Sequence, residues 1–99
     1  MLQIKKTVTD GKAILALAGR LDTLTSPELD AAVKETAPKV DELILDLAEL
    51  EYISSAGLRV LLTAQKAMAV RGKMTVLNPN ETVAEIFEVT GFSDILTVG

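Results

Sequence analysis

Two adjacent hydroxyls, Ser54 and Ser55, stand in the run Ile53-Ser54-Ser55-Ala56-Gly57-Leu58, where an apolar strand gives way to an amphipathic helix. The amino-terminal end of a helix has free N–H groups and a partial positive charge, so a phosphate added there is well received. The competing chemistry is nucleophilic attack, which needs a base to take the hydroxyl proton. The chain has no histidine and no cysteine, and Ser55 does not sit in a Gly-x-Ser-x-Gly elbow. These residues predict a serine that receives a phosphate, in a protein that is not an enzyme. Carboxylates do not cluster in the sequence as a ligand set, so neither a metal site nor a cofactor is expected.

The composition narrows the partners. Ten Lys and Arg against 14 Asp and Glu give a net charge of -4. A mildly acidic chain without a basic cluster is a poor binder of nucleic acid or of an anionic membrane. Hydrophobic residues make up 48% of the 99 positions, which suits one compact domain over 1–99 and argues against disorder. Without cysteine there are no disulfides or thiolate metal sites. The first residues build no apolar signal segment, and no apolar stretch is long enough to span a bilayer. A cytoplasmic location is the default expectation, with no insertion into a membrane.

The elements that must position the hydroxyls follow from periodicity. Leu2 to Thr9 largely alternates, as a half-buried strand does, and Asp10-Gly11 is a hairpin turn. Ala13 to Ala18 is short and wholly apolar, which predicts a strand buried on both faces. Gly19 ends it, and Gly19-Arg20-Leu21-Asp22-Thr23 forms the next loop. Thr25-Ser26-Pro27-Glu28 reads as a helix start, with a hydroxyl cap and a Glu able to reach back to it. Leu29, Ala32 and Val33 share a face until Pro38 stops the helix.

Glu42 to Leu47 is a second buried strand, followed by Leu50, Tyr52 and Ile53 and a helix from about Ser55. Leu58, Leu61, Leu62, Met68 and Ala69 make its core stripe, interrupted by Gln65. Gly72 stops the helix, Met74 to Leu77 is the last strand, and Asn78-Pro79-Asn80 leads into a third helix carrying Val83, Ile86 and Phe87. Gly91 breaks it, and Phe92, Ile95 and Leu96 close the chain. Helices alternating with buried strands give an α/β fold with parallel strands, or α+β if the first hairpin dominates. Asp22 and the serine pair each follow a buried strand, which places them on one edge, where ligand sites of such sheets lie.

Four segments together resemble the STAS domain of anti-sigma factor antagonists: Gly19-Arg20-Leu21-Asp22, Leu43-Ile44-Leu45-Asp46-Leu47, Tyr52-Ile53-Ser54-Ser55-Ala56-Gly57-Leu58 and Val89-Thr90-Gly91-Phe92. They run in order through essentially the whole chain. The resemblance implies a single domain with a mixed, mostly parallel sheet of four to five strands and helices packed mainly on one side. It also implies a bacterial regulator that binds an anti-sigma factor, a serine kinase of the GHKL type, and so frees a sigma factor. The kinase phosphorylates the motif serine, which breaks the complex, and a phosphatase restores it. Aligned on Ala-Gly-Leu, that serine is Ser55, with Ser54 as second choice, and Asp22 is the acidic loop residue beside it. Ser54 stands where the family commonly has Asp, and Arg20 where an acidic residue is frequent. A kinase matched to this chain is therefore expected to present a different charge pattern.

Each residue also has a plainer reading. Ser55 by position alone is a helix cap, a role Ser54 takes if Ser55 begins the helix. Gly57 weakens a helix by about 1 kcal/mol, which either close packing on a strand or the approach of a partner would justify. Asp22 serves its own turn by default. Asp46 reads as a local backbone partner and not as a site. Thr23, Arg59 and Val60 complete the expected partner surface, although a solvated face accounts for the outer side of that helix. Two other functions remain open. One is a constitutive STAS adaptor, unphosphorylated, on a lipid-transporter ATPase or in a stress-signalling complex. The other is binding of a nucleotide or small anion at the helix end.

Overall fold

A computed structural model describes residues 1–99. The chain runs β1 (Leu2–Thr9), β2 (Lys12–Leu21), α1 (Ser26–Thr36), β3 (Glu42–Ile53), α2 (Ser55–Arg71), β4 (Lys73–Leu77) and α3 (Glu81–Val89), with 3-10 turns at Ala37–Lys39 and Phe92–Asp94. The strands form one sheet in the order β1-β2-β3-β4. β1 and β2 are an antiparallel hairpin, turned by Asp10 and Gly11 at φ 48 and 77. The β2–β3 and β3–β4 pairs are parallel. Val98 adds a parallel bridge to Val76, the stub of a fifth strand. The expected α/β class and mostly parallel sheet are what the chain forms.

The core lies on one face of the sheet. Ala13 and Leu15 of β2 align with Leu43 and Leu45 of β3, which align with Met74 and Val76 of β4, and Leu17 continues the same face of β2. These residues form a single buried cluster with Leu29 and Val33 of α1, Leu58, Leu61, Ala64 and Met68 of α2, and Val83 and Phe87 of α3. The opposite face tells against the expectation that Ala13 to Ala18 is buried on both sides. There Ile14, Ala16 and Ala18 are only half-buried, beside exposed Lys5 and Thr7. Small alanines make the strand look uniformly apolar, yet they face a side that no helix covers.

Three further expectations change. β3 does not stop at Leu47 but runs on to Ile53. Its register against β2 shifts twice, between Ala16 and Ala18 and between Gly19 and Arg20. Each shift inserts an extra residue into β3, so Leu47, Leu50 and Ile53 are buried at intervals of three and the period of two disappears. In α2 the stripe turns by one residue. Ala64 is buried, Leu62 and Gln65 are half-buried, and Ala69 is exposed. Of the closing residues, Leu96 joins the core while Ile95 stays exposed.

Gly72 ends α2 as expected, but the reason is proximity. Its backbone is extended, with φ -177, and a Cβ there would overlap the carbonyl oxygen of Asp41. That carbonyl accepts from Lys73 N at 3.0 Å, while Asp41 N donates to Gly11 O at 2.7 Å. Three chain segments therefore meet where only a glycine fits. Gly72→Ala is expected to destabilise the domain by about 3 kcal/mol or more, at the upper end of overpacking costs. Urea denaturation followed by circular dichroism measures this, and a variant as stable as the parent would contradict the packing described.

Candidate functional site

The site is built at the carboxyl ends of β2 and β3. Their parallel pairing runs to Leu21 and Ile53, both buried, and there the two chains leave the sheet. Ser54 N donates to Leu21 O at 2.9 Å, which sets the Asp22 loop beside the start of α2. The expected meeting of Asp22 with the serine pair on one edge is therefore present.

The chain engages Ser54 and leaves Ser55 free. Ser54 is the N-cap in extended conformation, φ -98 and ψ 176, and its hydroxyl accepts from Gly57 N at 3.4 Å. Its carbonyl accepts from Leu58 N at 2.9 Å. Ser55 is the first residue of the helix and is exposed. Its hydroxyl makes no hydrogen bond to the rest of the chain and lies at the positive end of α2.

Asp22 organises its own loop. Its Oδ1 accepts from Leu24 N at 3.0 Å, Thr25 N at 3.1 Å and Thr25 Oγ1 at 3.2 Å. The backbone N–H of Thr25 is the main reason its carboxyl lies below the ordinary carboxylate value of 3.8. Desolvation opposes that shift, while the Thr25 hydroxyl and the Leu24 N–H reinforce it. The side-chain cap expected at Thr25 does not form. Thr25 Oγ1 shares its one proton between Arg20 O at 2.8 Å and Asp22 Oδ1 at 3.2 Å and accepts from Asp22 N, and Glu28 does not reach back to it. The first turn of α1 is tied down by Asp22, whose carbonyl accepts from both Ser26 N and Ser26 Oγ. With Thr25 turned inward to the strand end, the capping duty passes three residues upstream.

Gly57 is buried and offers no surface to a partner. A Cβ at this position would lie 2.8 Å from Ile53 Cγ1 and 2.8 Å from Leu21 Cγ. Its role is close approach of α2 to the ends of β2 and β3, the plainer of its two readings. Asp46 likewise bonds locally, its Oδ1 accepting from Ala48 N and Asn78 Nδ2.

The remaining candidates come together. Thr23, Arg59 and Val60 line a shallow groove of about 320 Å³ between the starts of α1 and α2, with Pro27, Asp30 and Thr63. Sequence reasoning missed the α1 wall, because periodicity marks the core side of a helix and leaves the outer side undivided. It also missed Leu24, 87% exposed at the loop tip, where a large apolar side chain among polar neighbours was the available signal. Arg20 lies over the ring of Tyr52, 4.6 Å from its centroid, an aromatic platform for a cation at the same edge.

With this geometry in place, comparison with known proteins identifies the scaffold. The STAS domain family model matches residues 3–99. The chain belongs to the STAS domain family, among the anti-sigma factor antagonists. It is 39% identical over 94 residues to BtrV of Bordetella bronchiseptica, covering 90% of this chain and 78% of that protein. It is 30% identical over 99 residues to the anti-sigma-B factor antagonist of Listeria monocytogenes, covering 98% of this chain and 86% of that protein. Its fold is that of an anti-sigma factor antagonist from Mycobacterium paratuberculosis, with TM-score 0.90, 20% identity, and 99% and 85% of the two chains covered. It is also that of the Bacillus protein SpoIIAA in its phosphorylated form, with TM-score 0.75, 22% identity, and 100% and 91% covered. No helix of this STAS domain is long and apolar enough to cross a membrane.

The Asp22 bonds predict how the stability of the domain responds to acid. A carboxyl held below its unfolded value stabilises the fold above that unfolded value and loses the contribution as pH falls through the folded one. Asp22→Asn keeps an acceptor oxygen but not the charge. The stability margin of the parent over this variant is expected to be full at neutral pH and to close below about pH 4. Thermal melts of both proteins across pH 2–7, a range bracketing the ordinary carboxylate pKa, test this. A margin independent of pH would mean that the charge of Asp22 does not stabilise its loop.

Proposed function

We propose that this STAS domain works by partner switching in the bacterial cytoplasm. Unmodified, it binds an anti-sigma factor that is a serine kinase of the GHKL type, and thereby frees a sigma factor. Phosphorylation of Ser55 ends that complex, and a phosphatase acting on the phosphoserine restores it. The domain itself performs no catalysis in this cycle. The observation that carries the reading is the division of labour at α2: Ser54 caps the helix, leaving Ser55 exposed at its first position. Beside it lie the Asp22 loop with Thr23, and the groove bearing Arg59 and Val60, a continuous surface for the partner.

The physical mechanism is exclusion, not unfolding. A phosphate brings about -1.5 to -2 charges, and at an exposed helix start it favours the fold by about 0.3–1 kcal/mol. Buried unpaired or set against acidic groups across an interface, the same charge costs about 2–5 kcal/mol. Each 1.4 kcal/mol is about tenfold in affinity, so the complex is lost while the domain stays folded.

One observation favours a second reading. Ser54 replaces the acidic residue that the family resemblance places before the phosphoserine, which removes a charge a kinase could recognise. On that reading the domain is a constitutive adaptor, as on a lipid-transporter ATPase or in a stress-signalling complex. Intact-mass and phosphopeptide analysis of the protein from its native host, with and without phosphatase treatment, separates the two. Phosphate on Ser55 is the expected result. Phosphate on Ser54 would move the switch by one residue, and none under any growth condition would favour the adaptor. Ser55→Asp is expected to weaken binding to the anti-sigma factor at least tenfold. Ser55→Ala should bind normally and resist release by kinase and ATP; parent-like behaviour of both variants would refute the assignment of Ser55.

A further inference from the structure

We propose that Arg59 is the intramolecular partner of a phosphate on Ser55, drawn back from the α1–α2 groove by one helical turn when the phosphate is present. The inference rests on the reading of Ser55 as the phosphoacceptor and adds the residue that receives the new charge. Ser55 and Arg59 are the first and fifth residues of α2, and both are exposed. Residues four apart lie on the same face of a helix with Cβ atoms about 5–6 Å apart. Helical side chains lean toward the amino terminus, so the one at i+4 covers the turn that begins at i. A guanidinium at this position is thus within reach of a phosphate on Ser55.

No ion pair inside the domain holds it. The ion pairs are Lys6–Glu35, Lys34–Asp30 and Lys73–Glu42, and none involves Arg59. Asp30 lines the same groove as Arg59, yet its carboxylate is engaged by Lys34 at 2.9 Å. The other cation of this edge, Arg20, belongs to β2 and is stacked on Tyr52. A guanidinium offers paired N–H donors that match two phosphate oxygens, forming a charge-assisted contact. Phosphorylation would then alter the surface twice. It places negative charge at the helix start, and it withdraws from the groove the cation that an acidic group of the anti-sigma factor would meet.

The test installs phosphoserine at position 55 genetically, so that no kinase is needed, and follows its second ionisation by 31P NMR titration. The helix end acts on the phosphate equally in every variant, so differences report the side chain. Arg59→Gln is expected to raise the second pKa by about 0.3 unit, the size of an i,i+4 ion pair. Arg59→Lys should recover part of that shift, and Arg71→Gln, at the far end of α2, should leave it unchanged. An identical pKa in the parent and Arg59→Gln would overturn the proposal, as would a shift produced by Arg20→Gln in its place. The titration is independent of the native-host mapping: absence of phosphate there would sink the switch, while the titration alone decides the role of Arg59.

Discussion

The site depends on one hydrogen bond, from the amide of Ser54 to the carbonyl of Leu21 at 2.9 Å. It closes the parallel β2–β3 pair and fixes where two loops from distant parts of the sequence emerge. Leu21 and Ile53, the residues just before those loops, are among the most buried of the chain. Their burial anchors the strand ends, because moving either would open the core beneath α2. The hydroxyl pair is therefore mounted on buried strand ends, although both serines lie outside the sheet.

Helix and sheet have to come close at that same point. Gly57 lets α2 approach Leu21 and Ile53 at distances a Cβ would already crowd. A glycine in the first turn of a helix costs about 1 kcal/mol against alanine, so packing must offset it. The burial of Leu58, the next residue, and of Leu61, one turn further on, does so and ties the helix start to the core rather than to solvent. The result is a helix amino terminus that is rigid on its inner side and open on its outer side, where Ser55 stands.

The sequence disclosed most of this arrangement, and its failures have identifiable causes. β1, the hairpin turn and all three helices were legible because alternation, Asp-Gly chemistry and apolar spacing each point one way. The second half of β3 was not, because two bulges erase the period of two between Leu47 and Ile53. The open face of β2 was hidden by Ala16 and Ala18, residues equally at home in a core or on a half-exposed sheet. The Thr25 cap failed for a different reason. Its hydroxyl could serve the helix or the loop, and Asp22, three residues earlier, offered the loop more hydrogen bonds. At the site itself, burial assigned Gly57 to packing and left Thr23, Arg59 and Val60 on the groove. No local rule in the sequence separates those roles, because each depends on what α1 brings opposite.

On the proposed reading, Asp22 and Ser55 let the domain carry a charge switch without being remodelled by it. The carboxylate of Asp22 is committed to Leu24 and Thr25 through one oxygen, so the loop keeps its shape through local bonds. The Ser55 hydroxyl is committed to nothing in the chain, because Ser54 already satisfies the cap. A group with no structural duty can be modified without a structural cost, and at a helix start the added charge is mildly favourable. Its large energetic consequence falls on whatever surface is pressed against it. On the proposed reading, this asymmetry is the reason for two serines in sequence: the first holds the helix, and that frees the second to change.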